Sequence, residues 1–449
     1  MTAVQRDSAR GAALFVLREI FLDGAYINIA VNKYLRAADL SDRDRRLMTG
    51  IVYGTVKAMG TLDWYIMQCT DRKKGRINKE ILTVLRMAFF QLLYMDKIPA
   101  SVAVNEAVEL VKKISPSGAN FVNGVLRGFL RKKESFAFPD EKGDEAGYLA
   151  LKLCHPRWLI KKWLKYYGRE DTEALCAFNN SPAPLTLRVN TLKTDRETLL
   201  AALAGLHAGA APSRWSADGI ICSAHPGLKA LFDLSPGGFY IQDESSMIAA
   251  AIAAPEKGET VIDICAAPGG KATHMAQLMG NKGRIIASDI YEHKLGLIKE
   301  NAARLGINII RTYLQDARDV REEWLCAADK VLVDAPCSGL GVLRRKAEAR
   351  WRKGRMSLKE FPPLQLEILE TAGKYVKDGG LLIYSTCTLE QQENHYMALE
   401  FLERNPEWEY ADFPHPVTGE TVNELQLLPQ KDNIDGFYIC VFRRKGRAK

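Results

Sequence analysis

The sequence predicts a chain of several domains: an all-α helical bundle over residues 1–135, a linker and small α+β segment over 136–235, and a doubly wound α/β domain over 236–449. Three observations point there. A length of 449 residues exceeds the roughly 100–200 of an ordinary domain. Apolar residues recur at spacings of three and four as far as about residue 133, with no strand signal between them. Beyond about residue 236, short apolar runs alternate with helical patterns, which is the signature of a parallel sheet wound by crossover helices.

In the first segment, Ala12, Leu14, Val16 and Leu17, and later Ile81, Val84, Leu85 and Phe89, mark buried helix faces in a bundle of six or seven helices. Ser41-Asp42-Arg43-Asp44 opens one long helix with a capping-box-like spacing, and Pro99 precedes another that begins near Ser101. The polar run at 138–145 reads as a linker. Short amphipathic helices, including one over 156–164, and a strand over 184–190 make up the middle segment. In the last segment the strands are expected at 261–265, 283–289, 309–314, 330–334 and 381–385, with helices such as 294–305 and 364–376 between them. A final strand over 436–443 follows irregular chain rather than a crossover helix, so an antiparallel setting is expected for it.

Composition narrows the class. The chain is 47% hydrophobic and 26% charged, which is globular. No apolar run reaches the length of about 18 residues that a membrane span needs, and no signal-peptide pattern opens the chain, so a cytoplasmic protein is expected. The nine cysteines are scattered and form no C-x-x-C pair, which fits a reducing compartment and argues against a disulfide framework or a metal site. Residues 1–135 carry 22 Lys and Arg against 13 Asp and Glu, while the remainder carries 40 against 41. The basic excess sits in the helical segment and suggests a polyanion partner, with Arg43, Arg45, Arg46, Arg72, Lys73, Lys74 and Arg76 as candidate contacts.

The sharpest motif is Asp263-Ile264-Cys265-Ala266-Ala267-Pro268-Gly269-Gly270-Lys271, a strand that breaks into a glycine turn and opens a helix. Such a turn brings backbone N–H groups close to a ligand at a helix N-terminus. It is no P-loop, since Cys265 and Ala272 stand where Gly and Ser or Thr are required, and it is not the dinucleotide fingerprint. Asp289 closes the next strand, where a carboxylate accepts from both hydroxyls of a ribose. Asp316, closing the third, suits either an adenine amino group or a helix cap. Together these point to an adenosine-bearing ligand without a pyrophosphate.

Two further motifs, Asp334-Ala335-Pro336-Cys337-Ser338-Gly339 and Ser385-Thr386-Cys387-Thr388, each place a cysteine just past a strand end, so both thiols and Asp334 are expected at one crevice. A thiolate can add to C6 of a cytosine and make C5 nucleophilic, and a carboxylic acid near N3 stabilises that adduct. Spacing alone leaves the choice of nucleophile between Cys337 and Cys387 open. Cys265 is expected to point into the core.

In this order the three motifs resemble the RNA cytosine-C5 methyltransferases of the Nop2/Sun type, a resemblance that extends to Leu187-Arg188-Val189-Asn190-Thr191, Gln242-Asp243-Glu244-Ser245-Ser246 and Asp435-Gly436-Phe437-Tyr438. The helical segment is similar to the antitermination factor NusB, a combination that resembles the branch of the family acting on bacterial 16S, small-subunit ribosomal RNA. The resemblance implies a Rossmann-like methyltransferase domain and S-adenosyl-L-methionine as cofactor, held by Cys265, Ala266, Ala267, Pro268, Gly269, Gly270 and Lys271. Asp289 would lie on its ribose, Asp316 near the adenine, and Asp334 beside cofactor and base. It further implies that Cys387 is the nucleophile, that Cys337 assists product release, and that Lys271 reaches the same centre. Ribosomal RNA is the expected partner, with no DNA, membrane or metal. The loop Leu343-Arg344-Arg345-Lys346-Ala347-Glu348-Ala349-Arg350-Trp351 departs from the family, which has His or Asn followed by Pro there; the departure is expected to touch only local loop contacts.

Two rival readings remain. One is a non-catalytic RNA-binding or antitermination factor, against which the intact set of Gly269, Gly270, Asp289, Asp334 and Cys387 argues. The other is a cytosine methyltransferase acting on tRNA.

Overall fold

The computed structural model describes residues 8–37, 40–71, 73–352, 354 and 357–446. Contacts divide the chain into two compact units, Met1–Ser181 together with Leu343–Arg352, and Pro182–Val342 together with Lys353–Lys449.

The first unit is helical. It contains α1 (Ala9–Phe21), α2 (Ile27–Ala37), α3 (Asp42–Lys57), α4 (Met59–Gln68), α5 (Lys79–Tyr94), α6 (Ala100–Ile114), α7 (Ala119–Lys132), α8 (Glu145–Lys152) and α9 (Arg157–Asn180). Ser41 caps α3 by accepting from the Asp44 N–H, and Asn78 caps α5, so the start signals in the sequence are structural. Leu14, Leu17, Val84, Leu85, Phe89 and Phe129 close the core. In place of separate short helices, α9 joins two helical runs across Gly168, whose φ of 75° suits glycine. Of the expected polyanion contacts, Arg43, Arg46, Lys73 and Arg76 are exposed; Arg45 donates to the Leu40 carbonyl and Lys74 to Asp63, while Arg72 lies outside the described residues.

The divergent loop belongs to this unit, which corrects the expectation that it affects only its own contacts. Arg350 is fully buried and donates to the carbonyls of Cys154 (3.0 Å) and Asn179 (3.2 Å) and to Oδ1 of Asn180 (2.8 Å). The Trp351 indole donates to the Val56 carbonyl at 2.7 Å. A charged run is therefore core material at this point, because both terminal nitrogens of the Arg350 guanidinium find carbonyl-type acceptors.

The second unit holds two sheets. Four antiparallel strands, β1 (Leu185–Val189), β2 (Ala210–Pro212), β3 (Gly219–Cys222) and β4 (Phe239–Ile241), pair in the order β2-β3-β1-β4, with α10 (Arg196–Ala204) and α11 (Leu228–Leu234) between strands. After α12 (Glu244–Ala253) the large sheet follows: β5 (Thr260–Asp263), α13 (Gly270–Leu278), β6 (Arg284–Asp289), α14 (Glu292–Leu305), β7 (Ile310–Leu314) and β8 (Ala328–Asp334). Helix α15 (Ala349–Arg352) is the loop already described, and α16 (Phe361–Gly373) leads to β9 (Val376–Thr386) and α17 (His395–Arg404). The C-terminal strands are β10 (Trp408–Tyr410), the small pair β11 (Phe413–Pro414) and β12 (Thr421–Val422), β13 (Glu424–Leu427) and β14 (Phe437–Arg444).

Strands β7, β6, β5, β8 and β9 are parallel, in that spatial order. The order reverses direction between β5 and β8, so a crevice opens at their carboxyl ends. As expected for the last strand, β14 runs antiparallel to β9. Among the described residues no helix is long and apolar enough to cross a membrane.

Candidate active site

β5 ends at Asp263 and the chain turns through Cys265–Gly270 into α13. Gly269 has a φ of 97°, and a Cβ there would stand 3.2 Å from the Ile298 backbone on α14, so glycine is required on both counts. The Ala266 N–H bonds to the Ser288 carbonyl and the Gly269 N–H to the Ala266 carbonyl, which fixes the turn against β6. From Gly270 onward, the first N–H groups of α13 have no acceptor within the helix.

A cleft of about 220 Å³ lies over this turn. Asp263, Cys265, Ala266, Ala267, Pro268, Gly270, Lys271 and Asp334 line one side, and Tyr240, Ile241, Gln242, Asp243 and Ser246 the other. Arg188, buried on β1, ties the two walls: it donates to the Gly270 carbonyl (2.5 Å), to Thr273 Oγ1 (2.9 Å) and to Gln242. Burial lowers its pKa to about 9. Cys265 is half-buried and lines the cleft while also packing on the apolar layer below, so it points only partly into the core. Burial and the neighbouring carboxylates of Asp263 and Asp334 push its thiol well above the ordinary range.

Asp334 accepts from Lys271 Nζ at 2.6 Å and from Ser385 Oγ at 3.0 Å. Burial works against the Lys271 ammonium, but Asp334, Asp263 and Cys387 outweigh it and hold its pKa above the usual value. Because β8 and β9 are adjacent and parallel, the loops after them meet, and Sγ of Cys337 lies 3.3 Å from Sγ of Cys387. A hydrogen bond to Cys387, then burial, hold the Cys337 thiol protonated far above its usual range. Both loops are braced by residues of their own motifs and by Glu393 and Gly341, which the sequence did not single out. The Ser338 N–H donates to Glu393 at 2.8 Å, Ser338 and Thr388 hydroxyls meet at 2.6 Å, and the Gly341 N–H donates to the Cys387 carbonyl at 3.0 Å.

Three of the expected cofactor residues do not line the cleft: Gly269, which shapes the turn, Asp289 and Asp316. Asp289 ends β6 and accepts from the Tyr291 N–H at 3.0 Å. Asp316 accepts from the Arg318 backbone and guanidinium; that guanidinium is the main cause holding its carboxyl below the usual range. Ile290 and Leu314, both large, apolar and exposed, flank Asp289 at the ends of the paired strands β6 and β7. Asp263, Arg188, Tyr240, Gln242 and Glu393 are site residues missed by sequence reasoning. A signal existed for Asp263, which opens the quoted motif, and for Arg188 and Gln242, which stand in two others.

Comparison with known proteins agrees with this architecture. The family model for the 16S rRNA methyltransferase RsmB/F matches residues 250–443, the NusB family model residues 7–131, and the RsmF/B-like ferredoxin-like domain residues 155–226. The probable ribosomal RNA small subunit methyltransferase B of Bacillus subtilis is 37% identical over 99% of this chain and 100% of its own. The ribosomal RNA small subunit methyltransferase B of Citrobacter koseri is 30% identical over 90% of this chain and 92% of its own. The crystal structure of PH0851 superposes with a TM-score of 0.84 at 28% identity, covering 96% of this chain and 98% of that one. Fold and matches define a Rossmann-like methyltransferase behind a NusB-like helical region. The chain belongs to the ribosomal RNA small subunit methyltransferase B family.

Proposed function

We propose that the chain transfers a methyl group from S-adenosylmethionine to C5 of a cytosine in 16S, small-subunit ribosomal RNA, through a covalent adduct between Cys387 and C6 of the base. The observation that carries this reading is the pair of thiols 3.3 Å apart, beside the Lys271 and Asp334 ion pair at the ends of β8 and β9. The names of the curated relatives support the RNA substrate.

The residues present fit the cofactor. The glycine turn leaves room for close approach, Asp263 offers a buried carboxylate that meets no side-chain donor among the described residues, and Asp289 stands between exposed apolar side chains suited to a flat ring. When bound, S-adenosylmethionine supplies an electrophilic methyl on a sulfonium. The cytosine must leave its stack for its C6 to be reached. Cys387, as thiolate, adds to C6, and the displaced electron pair is taken up at N3 by a proton supplied from the pair of Lys271 and Asp334. C5 takes the methyl, a base removes the C5 proton, and the restored double bond expels Cys387. Cys337, holding its proton nearby, stabilises the departing sulfur. Exposed cations of the helical unit would grip phosphates without regard to sequence.

Transfer of labelled methyl from S-adenosylmethionine to unmodified 16S ribosomal RNA, followed by nucleoside analysis, tests this. The expected product is 5-methylcytidine. A different methylated nucleoside overturns the cytosine-C5 reading, and methylation of tRNA in place of ribosomal RNA overturns the substrate.

A further inference from the structure

Asn394 is fully buried and immediately precedes α17, a position where asparagine ordinarily caps a helix by accepting from its first N–H groups. Its side chain makes no such bond here. It turns instead to the residues on either side of Cys387: Oδ1 accepts from Thr386 Oγ1 at 2.6 Å, and Nδ2 donates to the Thr388 carbonyl at 3.0 Å. Nδ2 also donates to Gln426 Oε1 at 2.7 Å, and Gln426 donates in turn to the Phe437 carbonyl at 3.0 Å, which anchors the amide to β14. The preceding residue, Glu393, is 1% exposed and serves the other thiol loop. It accepts from the Ser338 N–H at 2.8 Å and from Gln365 Nε2 at 3.0 Å, and that amide also donates to the Pro336 carbonyl at 3.0 Å. Cys387 is thus gripped through both its neighbours by Asn394, and Cys337 through both of its own by Glu393 and Gln365. Filling this space needs no polar atoms, and burying them carries a desolvation cost that apolar side chains of the same shape would avoid.

We propose that Asn394 and Glu393 are positioning residues for the two sulfurs with opposite effects on the reaction: Asn394 aims Cys387 for addition to C6, and Glu393 holds Cys337 where it assists release. The assignment rests on the cytosine-C5 reading of the site. Without Asn394 the bond between sulfur and C6 forms slowly. Without Glu393 it forms normally and breaks slowly, because the thiol that stabilises the departing sulfur is no longer placed beside it. The two residues are adjacent and equally buried, so a general loss of packing would slow the same step in both variants.

The full chain is mixed with S-adenosylmethionine and unmodified 16S ribosomal RNA, transcribed either with cytidine or with 5-fluorocytidine, whose C5 fluorine cannot leave as a proton and so traps the adduct. Denaturing gels follow the complex of protein and RNA over time. Wild type should be trapped on the fluorinated RNA; if it is not, the cytosine-C5 reading fails and the assignment falls with it. Asn394→Ala should be trapped at least about tenfold more slowly, with KM for both substrates within about twofold of wild type. Glu393→Ala should be trapped at the wild-type rate and should accumulate complex on ordinary RNA, as expected of Cys337→Ala. Adding Asn394→Ala to Cys337→Ala should slow the accumulation seen with Cys337→Ala alone by about tenfold. Thr386→Val and Gln365→Leu, which keep the shape and remove one polar partner each, should repeat the two behaviours in milder form, and they decide the matter if either alanine variant fails to fold. Binding of S-adenosylhomocysteine within about twofold of wild type reports an intact cleft in each variant. Trapping of Asn394→Ala at the wild-type rate, or equal slowing of trapping in both alanine variants, overturns the proposal.

Discussion

Arg188→Met keeps an aliphatic stem and removes the guanidinium that ties the cleft walls together. Three donations are lost, to the Gly270 carbonyl, to Thr273 Oγ1 and to Gln242. Hydrogen bonds from a charged donor contribute about 1.5–3 kcal/mol each, so the three together contribute about 5–9 kcal/mol. Burial opposes them: the fall in pKa from 12.5 to about 9 corresponds to about 5 kcal/mol against the charged form. The net loss of stability is therefore modest, about 2 kcal/mol, and the larger consequence is local. Without the guanidinium the first turn of α13 loses its tie to β1 and to Gln242, and affinity for S-adenosylhomocysteine should drop about tenfold, equivalent to about 1.4 kcal/mol. Arg188→Lys should not restore it, because one ammonium cannot span three acceptors set in a fork. Calorimetric titration beside urea denaturation measures both quantities. An affinity within about twofold of wild type, or full rescue by lysine, refutes the bracing role.

Three further outcomes are expected. The Asp263 carboxyl, with its pKa raised from 3.8 to about 7, retains a proton in the folded state that the unfolded chain releases. The contribution of this group to ligand-free stability is therefore full below about pH 4 and is lost as pH rises through 7, by up to about 4 kcal/mol. Asp263→Asn should flatten that decline in urea denaturation at pH 5 and pH 8; an unchanged slope would count against the buried acid. Gly341→Ala would set a Cβ 2.2 Å from the Gly436 carbonyl oxygen and 2.9 Å from that of Cys387, so methyl transfer should be lost even where circular dichroism shows a folded chain. RNA affinity should fall steeply with salt, and replacing Arg43 or Arg46 by Ala should lower the slope of log affinity against log salt by about one each, measured by filter binding; a flat salt response would remove the helical unit as a phosphate grip.

The order of elements in the large sheet was legible because each strand is a short apolar run ended by a distinctive residue. Asp263, Asp289, Leu314 and Asp334 close successive parallel strands, so the loops that follow share one edge. The meeting of the Pro336-Cys337 and Thr386-Cys387 loops follows from β8 and β9 being neighbours, which strand alternation with α16 between them suggests. The other wall of the cleft was not legible. Tyr240 and Gln242 arrive with a strand of a different sheet, and Arg188 reaches Gly270 across 82 positions, a separation no local pattern encodes. Composition also misleads at residues 343–352, where Arg344, Arg345, Lys346 and Glu348 suggest solvent, while Arg350 is fully buried against carbonyls of α8 and α9 neighbours. Asp316 reads equally well as ligand or cap from sequence, and its bonds to Arg318 explain the second reading without excluding the first.

The division of labour between the two thiols is the centre of the account. Wild type, Cys387→Ala and Cys337→Ala should each be mixed with unmodified 16S ribosomal RNA and S-adenosylmethionine, then resolved on a denaturing gel. Cys337→Ala should accumulate a covalent complex of protein and RNA, and Cys387→Ala should form neither complex nor methylated product. A complex formed by Cys387→Ala, or methyl transfer that survives its loss, would contradict the assignment of the nucleophile.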